Sequence, residues 1–129
     1  MLQQLAEELV LLAQSPDHVQ IIDLRSLPID DAGIARLRAH LGHGEVRAEV
    51  SSAAFTTIEE TAFGGIWWQR QQASAEASAV AWQTLVVARA PPLMAAHADD
   101  VADAAARLLA SLHPAEAARG LPGPTGAIA

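Results

Sequence analysis

His40 and His43, three residues apart, are the pair whose spacing first suggests metal chemistry. Imidazole nitrogens ligate zinc, copper and iron. The surroundings argue against such a site. Gly42 ends a predicted helix between the two histidines, no third ligand follows nearby, and acidic residues do not cluster there. His18, His97 and His113 stand in loops or at helix ends without a partner pattern. Glu59-Glu60 is a second candidate, a carboxylate pair of the kind that acid–base chemistry uses. Neighbours on a strand point to opposite faces, so the two acids cannot work on one substrate atom, and we read them as solvated or ion-paired. Ser15, Ser26, Ser51, Ser52, Ser74, Ser78 and Ser111 lie in no nucleophile elbow. Gly42-His43-Gly44 lacks the third glycine of a phosphate loop and precedes a strand instead of opening a helix. The chain has no cysteine, which removes disulfides, thiolate nucleophiles and any cysteinyl zinc or iron–sulfur site. Catalytic, metal-ligating and cofactor-binding residues are therefore not assigned.

The polar and aromatic residues that remain concentrate in Glu59–Arg70, which holds two of the three tryptophans and the Gly64-Gly65 pair. The glycines make a turn or bulge cheap. Ile66-Trp67-Trp68-Gln69-Arg70 is rich in strand formers. Trp67 and Trp68 must then point to opposite faces. One indole belongs to the core, and the other is either covered by a helix or exposed. An exposed tryptophan beside Arg70 is the type of anchor that protein interfaces use. The alternative is that both indoles are packed inside the domain, as large aromatics usually are.

The elements that position these residues follow from spacing. Leu2, Leu5, Leu9 and Leu12 recur at helical intervals and predict a helix over 2–14, stopped by Ser15-Pro16-Asp17. Residues 19–25 read as an interior strand that places Asp23 and Arg25 on one face, close enough to pair. Asp30 resembles an N-cap, Ile34, Leu37, Arg38 and Leu41 follow at helical spacing, and Gly42 suits a C-cap, so a helix is expected over 31–41. Residues 45–51 alternate charged and apolar positions and predict a half-exposed strand. Strands over 55–62, 66–72 and 80–88 follow, the last two antiparallel, with Trp82 near the tryptophan pair. Pro91-Pro92 ends the last strand. Val101, Ala105, Leu108, Leu109 and Leu112 give a helix over 98–112 its apolar stripe. The expected fold is α+β. It is a single domain over 1–113 with a mixed or mainly antiparallel sheet of about five strands and helices packed on one face. One parallel crossover is expected between the first strand and 45–51 through the second helix. Residues 114–129, rich in glycine, proline and alanine, are expected to form a flexible tail.

Composition limits the partners. The chain has 129 residues and a formal net charge of −7, and all its basic residues are arginine. An acidic chain without a basic run is poorly suited to nucleic acid or to an anionic membrane surface. No stretch approaches the roughly 20 apolar residues that a spanning helix needs. The N-terminal residues lack the basic region and cleavage site of a signal peptide, so the cytoplasm is the expected compartment.

Val19 to Ile29 (VQIIDLRSLPI), Gly44-Glu45-Val46 and Glu60 to Arg70 (ETAFGGIWWQR), in this order and spacing, resemble the C-terminal conserved domain of the hydrogenase expression/formation proteins of the HupH/HyaF type. The similarity covers roughly 2–113. Gly64 is a departure, since family members more often carry proline there. Longer members also carry sequence beyond this one domain. The resemblance implies a non-catalytic accessory, chaperone-like role in maturing a nickel–iron hydrogenase. The implied partner is the iron–sulfur small subunit or another maturation protein. It carries over Asp23, Arg25, Glu60, Thr61, Trp67, Trp68 and Arg70 as motif positions that line a contact surface or hold the structure. A different class of reading makes the chain a small-molecule-binding or enzymatic domain with a polar pocket around Asp23, Arg25 and Glu60. A third, self-association through an uncovered sheet face, would give a homodimer.

Overall fold

The computed structural model describes residues 1–113. Their order is α1 (Leu2–Gln14), β1 (Gln20–Asp23), a 3-10 turn (Leu24–Ser26), α2 (Asp31–Leu41), β2 (Arg47–Ser51), β3 (Phe55–Glu60), β4 (Ile66–Gln72), β5 (Trp82–Val87), a second 3-10 turn (Pro92–Met94) and α3 (Ala98–Leu112). The fold is α+β. Its five strands form one sheet in the order β1-β5-β4-β3-β2. Every pairing in it is antiparallel. The expected tail over 114–129 lies outside the described residues.

Two expectations about the sheet are corrected by this order. β1 is an edge strand, hydrogen-bonded to β5 alone, and not an interior one. The predicted parallel crossover is absent, because β1 and β2 occupy opposite edges. The link through α2 carries the chain from one edge of the sheet to the other. Strand spacing of about 4.8 Å makes that traverse roughly 19 Å, close to the length of an eleven-residue helix with its connectors.

The caps of α2 match its local sequence. Asp30 accepts a hydrogen bond from the Gly33 amide at 2.7 Å, satisfying one of the orphan donors of a helix start. Gly42 follows the last turn at φ 66°, where a side chain would be strained. α1 and α2 place Leu5, Leu12, Leu37 and Leu41 against Ile22, Ile66, Trp68, Leu85 and Val87, forming the main core on one sheet face. A smaller buried cluster of Ile58, Trp67, Val86 and Ala88 lies on the opposite face. The sheet residues of these two sets alternate along the strands as the pleat requires.

By contact density the chain separates into two compact units, one spanning Met1–Pro92 and one beginning at Leu93. The sheet, α1 and α2 belong to the first. Within the second, α3 is amphipathic: Val101, Leu108, Leu109 and Leu112 are exposed, and Arg107 bonds Asp103 one turn earlier at 2.8 Å. Among the described residues, no helix is long and apolar enough to cross a membrane.

Candidate functional site

The hairpin that carries the glutamate–tryptophan motif is fixed by a few short contacts. Thr61 is 1% exposed. Its hydroxyl donates to the Phe63 carbonyl (3.1 Å) and accepts from the Phe63 amide (3.2 Å), holding the turn after β3. The Thr61 amide donates to the Ile66 carbonyl, closing the hairpin. Gly65 adopts φ 95°, and a Cβ there would sit 3.0 Å from the Leu12 side chain, so both backbone and packing favour glycine. Gly64 has open space around it and no positive φ. Gly44 explains the Gly-Glu-Val motif: its amide donates to the Glu60 carbonyl at 2.8 Å, and a Cβ would fall 2.5 Å from the Thr61 carbonyl oxygen.

This hairpin sends the two indoles to opposite faces, and both are buried: Trp67 is 5% and Trp68 2% exposed. The exposed-tryptophan alternative is thereby corrected. Trp67 donates its indole N–H to the Ala88 carbonyl at 3.0 Å. Trp68 donates its own to the Gln83 side-chain oxygen at 2.9 Å. Both polar handles are satisfied internally, as burial requires. Each indole removes about 150–250 Å² from water, worth at most about 4–6 kcal/mol by area. Trp82 does not join them. It lies opposite Gln71 at the start of β5, three and four residues before Leu85 and Val86, the partners of Trp68 and Trp67, and is 46% exposed.

The helix-covered face also holds an ionic cluster. Glu59 sits between Arg47 on β2 and Trp68 on β4 in register. Arg38, on the apolar side of α2, stacks its guanidinium 5.1 Å above the Trp68 ring. It donates to Glu59 at 2.8 Å and to His43 Nδ1 at 2.9 Å. Arg47 and Arg70 each approach Glu59 at 3.6 Å, beyond hydrogen-bond distance. His43 lies 3.4 Å from the same carboxylate. Burial alone would raise the Glu59 pKa, but the charges of Arg38, Arg47 and Arg70, with the Arg38 hydrogen bond, outweigh it and hold the carboxyl below its ordinary value. Glu59 is thus an ion-paired acid, one of the two states expected for it. Arg38 Nη1 is buried without a hydrogen-bond partner.

The other sequence candidates are dispersed. Asp23 does not form a side-chain ion pair with Arg25. The chain leaves the strand after Asp23, whose carboxylate caps the 3-10 turn by accepting from the Arg25 amide at 2.9 Å. The Arg25 side chain instead donates to the Ala81 carbonyl at 2.8 Å and lies 5.9 Å from the Trp82 ring. Glu60 ends β3, whereas Asp23 ends β1, with β4 and β5 between them. Asp23, Arg25 and Glu60 therefore do not converge on a pocket. His40 stacks on Phe63, with ring centroids 6.4 Å apart, while His43 turns to Arg38. Among the described residues, no group of three or more histidine, cysteine, aspartate or glutamate side chains is placed to hold a metal.

Arg70 is the one proposed contact residue that combines partial exposure (41% of its side chain) with membership of a cluster. Sequence reasoning read Glu59 as solvated or ion-paired but did not bring it together with Arg38, Arg47 and Arg70. One signal was present: an arginine on the apolar stripe of a helix must find a buried counter-charge.

A family model described as "HupH hydrogenase expression protein, C-terminal conserved region" matches residues 1–114. The chain is similar to the solved structure of the hydrogenase expression protein HupH from Thiobacillus denitrificans ATCC 25259, with 35% identity and a TM-score of 0.76. That likeness covers 88% of this chain and 92% of the other. No curated protein gives a significant match.

Proposed function

Because this chain belongs to the HupH hydrogenase expression protein family, we propose that it is a non-catalytic accessory protein of nickel–iron hydrogenase maturation. It acts in the cytoplasm by binding the iron–sulfur small subunit before that subunit joins its partner. The observation that supports this most is the engagement of its polar side chains. The acids and bases of the sheet face bind one another, and the half-exposed Arg70 is left at the rim. The sequence has no cysteine, so a cluster carried by the partner would not be drawn onto thiolates of this chain.

The contact surface is the rim around Arg70, not the two indoles, whose burial gives them the structural role of holding the hairpin. Co-purification with small-subunit precursor tests the reading. Wild type is expected to retain the precursor. Absence of capture, while the large subunit or another maturation protein is captured, would reassign the partner. Turnover of a metabolite by the purified chain would contradict the non-catalytic role.

A further inference from the structure

The geometry points to a docking site for an acidic segment of a partner polypeptide in the cleft between the first turns of α2 and the Trp68–Arg70 stretch of β4. Arg70 and Gln83 would hold one carboxylate of that segment. The inference rests on the partner-binding reading above and adds the chemistry that the partner must present.

The cleft has a volume of about 290 Å³ and is lined by Asp31, Ile34, Ala35, Arg38, Trp68, Arg70 and Gln83. Its donors outnumber its acceptors. The Arg70 guanidinium makes no hydrogen bond among the described residues, and its only ion pair is the 3.6 Å approach to Glu59. Gln83 spends its oxygen on the Trp68 indole at 2.9 Å, which leaves its amide N–H groups to donate elsewhere. Arg38 adds its positive charge to the same lining, while its unpartnered Nη1 is buried and out of a ligand's reach. Glu59 does not take up these donors: Arg38 bonds one of its oxygens at 2.8 Å, and Arg70 and Arg47 each stand 3.6 Å from the other, beyond hydrogen-bond distance. A planar carboxylate fits an arginine fork and an amide together.

Two features select the source of that carboxylate. Asp31 on the lining opposes a second negative charge, which disfavours phosphate and polyanions. Ile34 and Ala35 supply an apolar wall that suits a hydrophobic neighbour of the acid. An aspartate or glutamate flanked by apolar residues in a polypeptide meets both conditions.

The test is an NMR titration of the full chain. The probe is a blocked peptide alternating leucine and glutamate, set beside its leucine–glutamine counterpart and inorganic phosphate. The Arg70 guanidinium, Gln83 amide and Trp68 indole signals are expected to shift together with the glutamate peptide. The glutamine peptide and phosphate should each bind about tenfold more weakly. Arg70→Ala should weaken the glutamate peptide to a similar extent, whereas Arg107→Ala in α3 should leave it unchanged. Equal binding of the glutamine peptide, equal or tighter binding of phosphate, or undiminished binding by a folded Arg70→Ala chain would each overturn the site. The small-subunit precursor separates the two levels of the proposal. Capture that survives Arg70→Ala removes this cleft and leaves the partner, while peptide binding without precursor capture removes the partner and leaves the cleft.

Discussion

Replacing Glu59 with glutamine removes the charge that Arg38, Arg47 and Arg70 share while keeping the side-chain volume. The 2.8 Å bond from Arg38 is charge-assisted and partly buried, a type worth about 1.5–3 kcal/mol. The glutamine oxygen can still accept a neutral bond of about 0.5–1.5 kcal/mol. Arg47 and Arg70 are 55% and 41% exposed and stand 3.6 Å away, so solvent holds each of their contributions to about 0–1 kcal/mol. The expected net loss is about 1–2 kcal/mol, or roughly 3–10 °C in Tm for a domain of this size. The loss depends on pH with a definite sign. The folded-state pKa of Glu59 is depressed. Its stabilisation is therefore fully present above the unfolded value of about 4.3 and fades as pH falls through the folded pKa. Thermal melts followed by circular dichroism should show a clear gap between wild type and Glu59→Gln near pH 7, narrowing below about pH 4.3. Equal melting temperatures near pH 7, or a gap that stays constant as the carboxyl protonates, would refute the assignment of Glu59 as the shared counter-charge.

Trp67→Ala should cost about 3–5 kcal/mol by urea unfolding, because it empties the second cluster and leaves the Ala88 carbonyl without its donor. Trp67→Phe should fall well short of that. Gly44→Ala should destabilise the chain by about 2 kcal/mol or more in the same assay, since its Cβ would meet the Thr61 carbonyl oxygen at 2.5 Å. Gly64→Ala should be neutral or stabilise by up to about 1 kcal/mol, because the position is open and its φ is not positive. Arg25→Ala should cost no more than about 1.5 kcal/mol in Tm-based comparison, since one exposed hydrogen bond and one ring contact are lost.

Much of the fold is local, and that part is legible in the residues themselves. The α2 boundaries are set by Asp30 and Gly42, whose capping contacts span no more than four residues. The edge position of β1 is not local. It depends on pairing with β5, from Gln20 against Val87 to Asp23 against Thr84, and nothing within residues 19–25 encodes a partner so distant in the chain. The parallel crossover failed for the same reason. Alternation on 66–72 correctly sends Trp67 and Trp68 to opposite faces, but the second indole's burial arises from a cluster assembled by β3, β4 and β5. The site shows the same division. Arg70 was readable as a motif position and Arg38 as a member of the α2 stripe. Their meeting at Glu59 required the register of β3 and β4, in which Trp68 stands opposite Glu59 and Arg70 opposite Thr57, and the packing of α2 over Trp68. Asp23 and Arg25 looked like a strand pair because their spacing fits one, and the 3-10 turn beginning at Leu24 overrides it.

Hydrogen–deuterium exchange on the full chain, with and without hydrogenase small-subunit precursor, bears most directly on partner binding through the Arg70 rim. Protection is expected in the segments containing Asp31 to Arg38, Trp68 to Gln72 and Gln83, and it should disappear with Arg70→Ala. Unchanged exchange in all three segments at saturating precursor would contradict it.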